Sequence, residues 1–533
     1  MAYLSRKERE EKYEELSPFE LKDKLISMAG SQSEKMMLNA GRGNPNWVAT
    51  RPRQGFFLLG NFAIEEGHRV MDRYGLAGAP EEDGMGDRFQ EFCKTHAEHV
   101  GADFLENSYS YATEELGLDG DEFIGEMVDA VLGDHYPTPD RVLTNTQEII
   151  RRYLDMAMSN DDPPEGTMDL FLTEGGTAAM TYVFNSLKEN HLLNPGDKIA
   201  LGTPIFTPYL EIPPLNDYQL DVVEIQQNEG KDWRYPREEL EKLKDPSIKA
   251  FFVVNPSNPS SVSMAEDTLK FIGDLVENER QDLILLTDDV YGTFVDDFRS
   301  LASVAPRNTI LVYSYSKYFG STGWRLGAIG IQQENVMDEM IAELPQDERR
   351  GLHDRYEAIS TNPEEMKLID RLVADSRAVA LNHTAGLSTP QQVMMVLFSL
   401  QELLDSDSRL YQKEIKDLVE ERYEALYDAL GAPGPDGPKH ANYYTTIDIP
   451  SLAEDRYGKD FADWLEGRHE PIDFVWRMAD EKDVVVLDGG GFDAPEMSVR
   501  VSLANLYEDD YREIGSAISD LLDAYRSDWK ESK

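Results

Sequence analysis

The segment "SYSKYFGSTGWRLGAIG", Ser314 to Gly330, holds one lysine, Lys317, and one arginine, Arg325, in an otherwise uncharged stretch. It joins the end of one apolar run, "TILVYSYS" (309–316), to the start of another, "LGAIGIQ" (326–332). The connection is too short for a helical crossover, so we expect the second strand to run antiparallel to the first. Two cations set apart in this way, in a strongly acidic chain, call for a chemical explanation.

Seven short runs of apolar and β-branched residues mark the central part of the chain. Longer segments with helical periodicity separate most of them. Runs that are apolar on both faces suit strands buried between layers of helices. We therefore expect an α/β fold with a mostly parallel sheet of about seven strands, accompanied by a second, smaller α+β domain. The runs are 169–175, 198–205, 219–225, 250–256, 283–289, 309–316 and 326–332.

Changes in composition divide the chain into three parts. Residues 1–79 form a charged, helical N-terminal arm that we expect to supply part of the small domain. Residues 80–385 are predicted to form the large α/β domain, in which 333–380 is a helical insertion or connector. Residues 386–533 combine long helical patterns, a Pro/Gly break ("GAPGPDGPKH") and short strands, which predicts the small C-terminal domain.

The charge of the chain limits its partners. It has 533 residues, with 101 acidic and 52 basic side chains and a formal net charge of −49. This balance argues against nucleic acid and against anionic membranes, because both are bound by basic surfaces. It predicts a hydrated acidic surface, and it leaves open whether the acidity is an adaptation to a salt-rich cytosol.

The cellular address is predicted from three features. The single cysteine, Cys93, excludes an intrachain disulfide framework and fits a reducing compartment. No apolar run approaches the roughly 18–20 residues that span a bilayer. The N-terminal residues 1–16 are charged and lack the apolar core of a secretory signal. We therefore expect a cytoplasmic protein.

Polar residues follow several predicted strands, at the carboxyl edge where open α/β sheets bind ligands. Gly175 and Gly176 precede a predicted helix whose N-terminus can bind an anion, although such a pair is more often only a tight turn. Asn258 lies in a rigid "NPSNPS" turn after a buried strand. Asp288 ends another strand, where a carboxylate needs a cationic partner. Lys317 is the only cation at the end of the sixth run, which suits Schiff-base chemistry.

These groups together match what pyridoxal phosphate needs from a protein. Its phosphate needs helix N–H groups, a hydroxyl and an arginine. Its pyridine nitrogen needs a carboxylate that keeps it protonated, and its aldehyde needs a lysine amine. Taken alone, the glycine pair and the Asn-Pro turn favour a structural interpretation. Only their combination on successive strand ends indicates a cofactor site.

The segment around Lys317 resembles the lysine signature of the aspartate aminotransferase family, the pyridoxal-phosphate-dependent transferase fold type I. The similarity extends over about 130–330, 385–400 and 485–505. It implies that Lys317 is the catalytic residue that forms the Schiff base. It also implies that the phosphate is bound by Gly175, Gly176, Ser314 and Arg325, the ring nitrogen by Asp288, the ring hydroxyl by Asn258 and Tyr291, and the ring face by Phe206.

Two further roles follow from the same resemblance. Tyr136, in "DHYPTPD", resembles the tyrosine that reaches the phosphate of the neighbouring subunit, which implies a site shared within a homodimer. Arg500, in "SVRVSLANL", resembles the arginine that binds the substrate α-carboxylate through two parallel hydrogen bonds. The chain departs from the family at Ser260-Ser261, where glycine is frequent, and at Phe206, which lacks the polar group of Trp or Tyr.

Over nearly its whole length the chain is similar to the bacterial L-aspartate 4-decarboxylases, which share this fold. The similarity implies release of CO2 from the β-carboxylate of L-aspartate to give L-alanine, with a side aspartate aminotransferase activity. It also implies dimers assembled into a larger homo-oligomer, a dodecamer in that family. Arg42, in "NAGRGNP", is our candidate for the β-carboxylate contact, and Lys22 is a second one. A loop arginine bonded to local carbonyls is the alternative for Arg42.

Other functions stay open on the sequence alone. An aspartate or aromatic-type aminotransferase with enlarged termini would share every cofactor residue. A regulator of this fold would need a DNA-binding module and a basic surface, and the chain shows neither. We predict no metal site, because His96 and His99 of "HAEH" have no third ligand close in sequence.

Overall fold

The computed structural model describes residues 20–21, 23–27, 37–228, 233–434 and 439–533. A seven-stranded sheet lies at its centre, with the strand order β4-β10-β9-β8-β7-β5-β6. In chain order the strands are β1 (Leu38–Asn39), β2 (Asp72–Arg73), β3 (Leu76–Ala77), β4 (Met168–Thr173), β5 (Lys198–Thr203), β6 (Asp221–Gln226), β7 (Ile248–Val254), β8 (Ile284–Asp288), β9 (Thr309–Ser314), β10 (Gly327–Gln332), β11 (Tyr444–Asp448), β12 (Val484–Val485), β13 (Leu487–Asp488) and β14 (Ser498–Ser502).

The prediction of the central sheet is confirmed strand by strand, since each of the seven runs overlaps one strand of the sheet. Strands β5 to β9 pair in parallel, and β10 is antiparallel to both β9 and β4. The antiparallel direction of β10 follows from the short connection after β9, as expected. We expected both faces of every strand to be buried, and β6 is an exception. Strand β6 lies at the edge of the sheet, and Ile225 is its only buried residue.

Helices cover the sheet and build the remaining layers. They are α1 (Thr50–Val70), α2 (Met85–Thr95), α3 (Ala102–Ser110), α4 (Gly120–Leu132), α5 (Thr144–Ser159), α6 (Gly176–Glu189), α7 (Thr207–Glu211), α8 (Arg237–Leu240), α9 (Glu266–Asn278), α10 (Leu301–Val304), α11 (Val336–Ala342), α12 (Gln346–Tyr356), α13 (Leu368–Ser376), α14 (Thr389–Leu404), α15 (Leu410–Leu430), α16 (Ile449–Tyr457), α17 (Lys459–Arg468), α18 (Ile472–Lys482) and α19 (Glu508–Ser532). Short 3₁₀ turns link several of them, including Thr322–Trp324 and Gly490–Phe492.

A second, smaller sheet has the order β11-β14-β13 and is antiparallel throughout. Arg500 lies in the middle of β14, opposite Thr446 of β11 and Leu487 of β13. Strand β1 pairs in parallel with β12, so the segment near residue 38 is fixed to the C-terminal part of the chain. This pairing carries the loop that follows β1, residues 40–44, to the edge of the smaller sheet.

The predicted helical segment 333–380 contains α11, α12 and α13. Helix α13 is anchored to α6 by Asp375, a carboxylate that is fully buried as a side chain. Asp375 accepts hydrogen bonds from Ser186 at 2.7 Å, from Tyr356 and from Arg355 at 2.9 Å. Burial raises the pKa of Asp375, and these donors offset part of the rise. The segment is therefore firmly packed against the covering helix of the large sheet.

Three hydrophobic clusters lie among the described residues. The first packs against the seven-stranded sheet and includes Phe171, Leu286 and Val312. The second packs against the same sheet and includes Phe251, Leu285 and Ile272 of α9. The third joins the small sheet to α15, α18 and α19 and includes Val499 and Ile518. Among the described residues, no helix is both long enough and apolar enough to cross a lipid bilayer.

Candidate active site

A cavity of about 770 Å³ opens between the carboxyl edge of the large sheet, the small sheet and residues 41–44. Parallel strands place their C-terminal ends at one edge, so residues far apart in sequence meet there. The structure brings most of the predicted site residues to the wall of this cavity: Gly176, Phe206, Asn258, Asp288, Tyr291, Ser314, Lys317, Arg325, Arg42 and Arg500.

Gly175 and Gly176 form the turn between β4 and α6. Gly175 has φ +99° and ψ 168°, a conformation that is open almost only to glycine. A Cβ atom at Gly175 would lie 2.6 Å from Arg325 Nη2, and one at Gly327 would lie 2.6 Å from the Gly175 carbonyl carbon. The turn therefore lets Arg325 and β10 come close to the first turn of α6. Helix α6 has fourteen residues, and its first two, Gly176 and Thr177, line the cavity. The backbone N–H groups of this first turn have no partner within the helix and are therefore available to an anion.

Ser314 and Arg325 lie next to this helix N-terminus. The Ser314 hydroxyl donates to Ser316 Oγ at 3.0 Å and lies 3.2 Å from the Leu326 carbonyl oxygen. A Cβ at Gly176 would lie 3.5 Å from Ser314 Cβ, so the hydroxyl and the glycine turn are in contact distance. Arg325 has an exposed side chain, and its Nη1 donates to the Thr322 carbonyl at 2.9 Å. These groups can bind a doubly charged anion.

Asp288 ends β8 with its carboxylate buried below the cavity. Tyr209 Oη donates to Asp288 Oδ2 at 2.7 Å, and the Val290 N–H donates to Oδ1 at 3.3 Å. Burial raises the pKa of Asp288 to about 6, although Tyr209, Val290 and the charge of Lys317 each lower it. A cation placed against Asp288 would stabilise the ionised form of this carboxylate.

Lys317 lies in the turn after β9 and is half-buried. Its Nζ donates to the Gly43 carbonyl oxygen at 2.8 Å, and Tyr443 Oη donates to the same oxygen at 2.7 Å. A Cβ at Gly43 would lie 2.3 Å from Tyr444 Oη and 3.3 Å from Lys317 Nζ. Only glycine therefore allows the loop to approach the amine so closely.

Arg500 is buried, with 3% of its surface exposed, on the side of the cavity formed by the small sheet. Its Nη1 donates to Asn258 Oδ1 at 3.2 Å and its Nη2 to the Gly41 carbonyl at 3.0 Å. Its guanidinium carbon lies 4.2 Å from the Tyr444 ring centroid and 4.8 Å from that of Phe492. Among the described residues Arg500 Nε has no hydrogen-bond partner. Burial lowers the pKa of Arg500, but guanidinium groups stay protonated in proteins.

The three residues that were predicted to contact the cofactor ring also lie on the cavity wall. Phe206 precedes α7, and its ring meets that of Tyr209 edge to face at 5.4 Å. Tyr291 Oη donates to Tyr444 Oη at 3.2 Å. Asn258, whose amide oxygen is bound by Arg500, keeps its amide nitrogen for another acceptor.

The remaining predictions have different outcomes. Arg42 lines the cavity, and its side chain is exposed. Lys22 lies outside the described residues. Tyr136 is 69% exposed, lies away from the residues that line the cavity, and meets the His383 ring at 6.0 Å. The single chain does not bring Tyr136 to the site.

Sequence reasoning missed several residues that shape the cavity. Tyr209 follows Phe206 by three positions, so helical spacing could have placed it beside the same site. Gly43 and Tyr444 carried no local signal, because they approach Lys317 only through the pairing of distant segments. Asp488 lines the cavity with a largely buried carboxylate, and burial raises its pKa to about 6, although the N–H groups of the following glycines lower it.

The histidines of "HAEH" make local contacts. His96 Nδ1 lies 2.9 Å from the Phe92 carbonyl, and His99 Nδ1 accepts from the Gly101 N–H at 3.1 Å. A different group, made of Asp129, Asp134 and His135, has ligand atoms close enough for a metal, and all three side chains are exposed. Exposed acidic groups of this kind are common without a metal.

The family model for aminotransferases of class I and II matches residues 162–518. The chain is 48% identical over 517 residues to the bifunctional aspartate aminotransferase and L-aspartate beta-decarboxylase of Pseudomonas sp, and the match covers 97% of each chain. It is 27% identical over 242 residues to the aspartate aminotransferase of Pyrococcus horikoshii, which covers 44% of this chain and 58% of that one. The solved structure of an aromatic aminotransferase from Pyrococcus horikoshii superposes with a TM-score of 0.58 at 19% identity, over 94% of this chain and 99% of that chain. With this extent of matching and a cavity at the carboxyl edge of its seven-stranded sheet, the chain belongs to the class I and II aminotransferase family.

Proposed function

We propose that this protein uses pyridoxal phosphate to release CO2 from the β-carboxylate of L-aspartate, forming L-alanine, with an aspartate aminotransferase activity alongside. The observation that carries the proposal is the full-length similarity to the Pseudomonas relative, whose name includes both activities. The cavity supports it, because its wall offers an amine, a buried carboxylate and a buried guanidinium.

The residues of the cavity fit the cofactor. We assign the phosphate to the first turn of α6, to the Ser314 hydroxyl and to Arg325, all of which meet at the glycine turn. We assign the ring nitrogen to Asp288, whose buried carboxylate has a phenol and a backbone N–H as its only hydrogen-bond donors among the described residues. When bound, pyridoxal phosphate supplies a protonated ring that accepts the electron pair released at a substrate carbon.

Lys317 is the group we assign to the aldehyde of the cofactor and to proton transfer. Its amine lies at the cavity wall and makes one hydrogen bond to the described residues, to the Gly43 carbonyl, so two of its protons remain available in the ammonium form. An amine in this position can take the proton from the α-carbon of a bound amino acid and return it to a neighbouring atom.

Arg500 is the group we assign to the substrate α-carboxylate. Asn258 and Gly41 fix the guanidinium plane through its two Nη atoms, and Tyr444 and Phe492 cover its faces. A carboxylate would give this buried charge a partner through parallel hydrogen bonds. This role depends on the fixed planar geometry that lysine lacks.

Arg42 is the group we assign to the β-carboxylate, and Lys22 remains a prediction for the same contact. Arg42 follows Gly41, whose carbonyl oxygen is held by Arg500, so the two guanidinium groups belong to adjoining parts of the cavity wall. The exposed Arg42 would bind a carboxylate more weakly than a buried arginine. Weak binding suits a carboxylate that must leave as uncharged CO2, because tight binding of the ground state would raise the barrier.

The test is to incubate the protein with L-aspartate and pyridoxal phosphate, without a keto acid, and to measure CO2 and alanine. We expect both products in equal amounts, and oxaloacetate only as a minor product unless 2-oxoglutarate is added. Arg42→Gln should lower the CO2 yield relative to transamination. An exposed arginine away from the cavity, Arg307→Gln, is the matched control. Transamination without CO2 would leave only an aminotransferase.

We also propose a homodimer as the minimal unit, assembled into a larger homo-oligomer in the cytoplasm. The exposed Tyr136 supports the dimer, since a ring that projects away from its own site can reach a partner's phosphate group. The single, buried Cys93, whose pKa burial raises to about 12, supports a reducing compartment. Light scattering measures the size of the assembly. Mixed dimers that carry Tyr136→Phe on one subunit should bind one cofactor weakly.

A further inference from the structure

Tyr444, the first residue of β11, lies where the two sides of the cavity meet. It is 2% exposed and lines the cavity. Its Oη accepts a hydrogen bond from Tyr291 Oη at 3.2 Å, and its ring lies 4.2 Å from the Arg500 guanidinium carbon. Since the phenol oxygen of Tyr444 is the acceptor in that bond, its own proton is available for a second acceptor.

The Tyr444 hydroxyl is also close to the Lys317 amine. Both atoms lie within 3.3 Å of the position that a Gly43 Cβ would occupy. The Gly43 carbonyl accepts a hydrogen bond from Lys317, and Gly43 itself has no side chain that could enter between the phenol and the amine. Two groups that can carry protons therefore flank the same small volume, one from each side of the cavity.

The proposed decarboxylation needs two separate proton transfers, and this inference rests on that proposed function. One proton leaves the α-carbon, a role we assign to Lys317. The second proton must reach the β-carbon, because loss of CO2 breaks the bond between the β-carbon and the carboxyl carbon. The electron pair of that bond returns to the β-carbon, which becomes a methyl group only when it gains a proton. Arg500 cannot supply this proton, since a guanidinium does not ionise in proteins.

The charges around Tyr444 favour a proton donor. Burial by itself raises the pKa of the Tyr444 phenol, but Lys317 and Arg500, helped by the hydrogen bond from Tyr291, outweigh burial and lower the pKa. Tyr291 and Tyr443, which are equally enclosed, have pKa values raised well above that of a free phenol, mainly by burial. Of these three tyrosines, Tyr444 is the one whose surroundings stabilise the phenolate.

We propose that the Tyr444 hydroxyl donates the proton that converts the β-carbon of aspartate into the methyl group of alanine after CO2 has left. The O–H bond breaks, the new C–H bond forms, and the phenolate then regains a proton from water that enters the open cavity. The overall change consumes one proton for each CO2 released, so the atoms and charges balance.

Ser261 positions this phenol. Its Oγ accepts the Tyr444 N–H at 2.8 Å, and its carbonyl accepts the Ala441 N–H at 2.8 Å. Ser261 has φ +61°, in the left-handed region that favours glycine, so a serine at this position is strained. The hydroxyl offers an acceptor that glycine would lack. The departure from the family pattern noted at Ser260-Ser261 therefore fixes the start of β11.

The test uses Tyr444→Phe holoenzyme, with Tyr427→Phe as the matched control. Tyr427, in α15, is a buried phenol that lies outside the cavity wall. Its Oη is hydrogen-bonded at 2.6 Å to Oγ1 of Thr445, which follows Tyr444 on β11. For Tyr444→Phe we expect one CO2 per site in a rapid first turnover, followed by alanine formation slowed about 10²-fold or more. Transamination of aspartate with 2-oxoglutarate should stay within about threefold of the wild type, because α-proton transfer does not need the phenol. The control should keep all three rates.

Two outcomes would overturn the role of Tyr444. One is unchanged alanine formation by Tyr444→Phe. The other is an equal loss of the CO2 burst, alanine formation and transamination, which would indicate a structural contact. Ser261→Gly provides a second check, since it keeps the phenol but loosens its position and should lower alanine formation more than transamination. Wild-type protein that releases no CO2 would instead refute the proposed decarboxylase function itself.

Discussion

The two walls of the cavity are built in different ways. The wall that we assign to the cofactor comes from strand ends of one sheet: Gly175 and Gly176 after β4, Asp288 at the end of β8 and Lys317 after β9. The wall that we assign to the substrate combines three separated segments, namely the loop at 41–44 and strands β11 and β14. Every position in the first wall follows from its place on a strand, whereas the second wall exists only after long-range pairing.

This difference indicates that the cofactor wall is held rigidly by one sheet, whereas the substrate wall depends on contacts between separate segments. The strand ends are fixed by a continuous ladder of hydrogen bonds inside the main hydrophobic cluster. The substrate side depends on a few bonds between segments, such as Arg500 to Asn258 and Lys317 to Gly43. Substitutions on the first wall should therefore affect cofactor binding and both reactions, and those on the second should affect substrate binding and the choice of product.

Lys317→Ala should have the largest effect, because it removes a group that both walls share. We expect decarboxylation and transamination to fall together by about 10⁴-fold or more, since the amine is assigned both covalent and proton-transfer roles. Product analysis measures both rates, and the melting temperature serves as a folding control. Residual activity above a few per cent in either assay would contradict the assignment.

Arg500→Lys should lower kcat/KM for aspartate by about 10²-fold, equivalent to about 3 kcal/mol, because a lysine cannot replace the two-point contact of a buried guanidinium. Arg422→Lys is the matched control, since Arg422 is also buried and donates to the Leu503 carbonyl at 3.0 Å and to Asn46 Oδ1 at 2.8 Å. It should lower stability without raising KM. Equal KM changes in the two variants would remove Arg500 from the substrate wall.

Asp288 should make the stabilisation by the cofactor depend on pH. In the protein without cofactor its pKa is about 6, above the value near 3.9 of an unfolded chain. Because the folded protein binds this proton more tightly than the unfolded chain does, the free energy of unfolding falls by about 3 kcal/mol as the pH rises from about 4 through 6. A protonated ring nitrogen beside Asp288 would stabilise the ionised carboxylate and so restore this free energy of unfolding at high pH. The rise in melting temperature on adding cofactor should thus be larger at pH 8 than at pH 5.

The control for this pH effect is Asp288→Asn, which should show the same cofactor-induced rise at both pH values. Asp289, next to it, also titrates, since burial raises its pKa to about 7. Its contribution is expected to be similar with and without cofactor and so largely to cancel in the difference. An equal rise at pH 5 and pH 8 in the wild-type protein would argue against an ion pair between Asp288 and the ring.

Gly175→Ala should have the smallest effect of the four and should act on the cofactor wall alone. The new Cβ would be strained by φ +99° and would meet Arg325 Nη2 at 2.6 Å, so we expect about tenfold weaker cofactor binding. Gly196→Ala tests strain without a clash, since Gly196 has φ +89° and nothing within 4 Å of its added Cβ. It should lower the melting temperature and leave cofactor affinity unchanged, as measured by fluorescence titration.

The fold was largely predictable from the sequence because its elements leave local patterns. Apolar runs marked all seven strands, and the short connection at Ser314–Gly330 gave the direction of β10. Exposure of β6 was not predictable, since an apolar run does not reveal whether it lies at the edge of a sheet.

For the site, the positions of Asp288 and Lys317 at the ends of apolar runs predicted that both lie at the carboxyl edge of the sheet. The family resemblance added Arg500 and Arg42, whose places in the wall depend on the pairing of β1 with β12 and of β14 with its neighbours. Neither source pointed to Tyr209, Gly43 or Tyr444. These three act through contacts with residues that lie 79, 274 and 153 positions away in the chain.

The sequence by itself determined the sheet, the cofactor chemistry expected at its carboxyl edge and the isolation of Lys317 and Arg325 from other charges. Alternation and strand ends are local properties, so a linear chain can display them. Only the tertiary structure decided which groups meet Lys317 from the opposite side. The Gly43 carbonyl binds the amine, and the Tyr444 phenol lies on the other side of Gly43, because distant strands pair in one register that depends on the packing of the whole molecule.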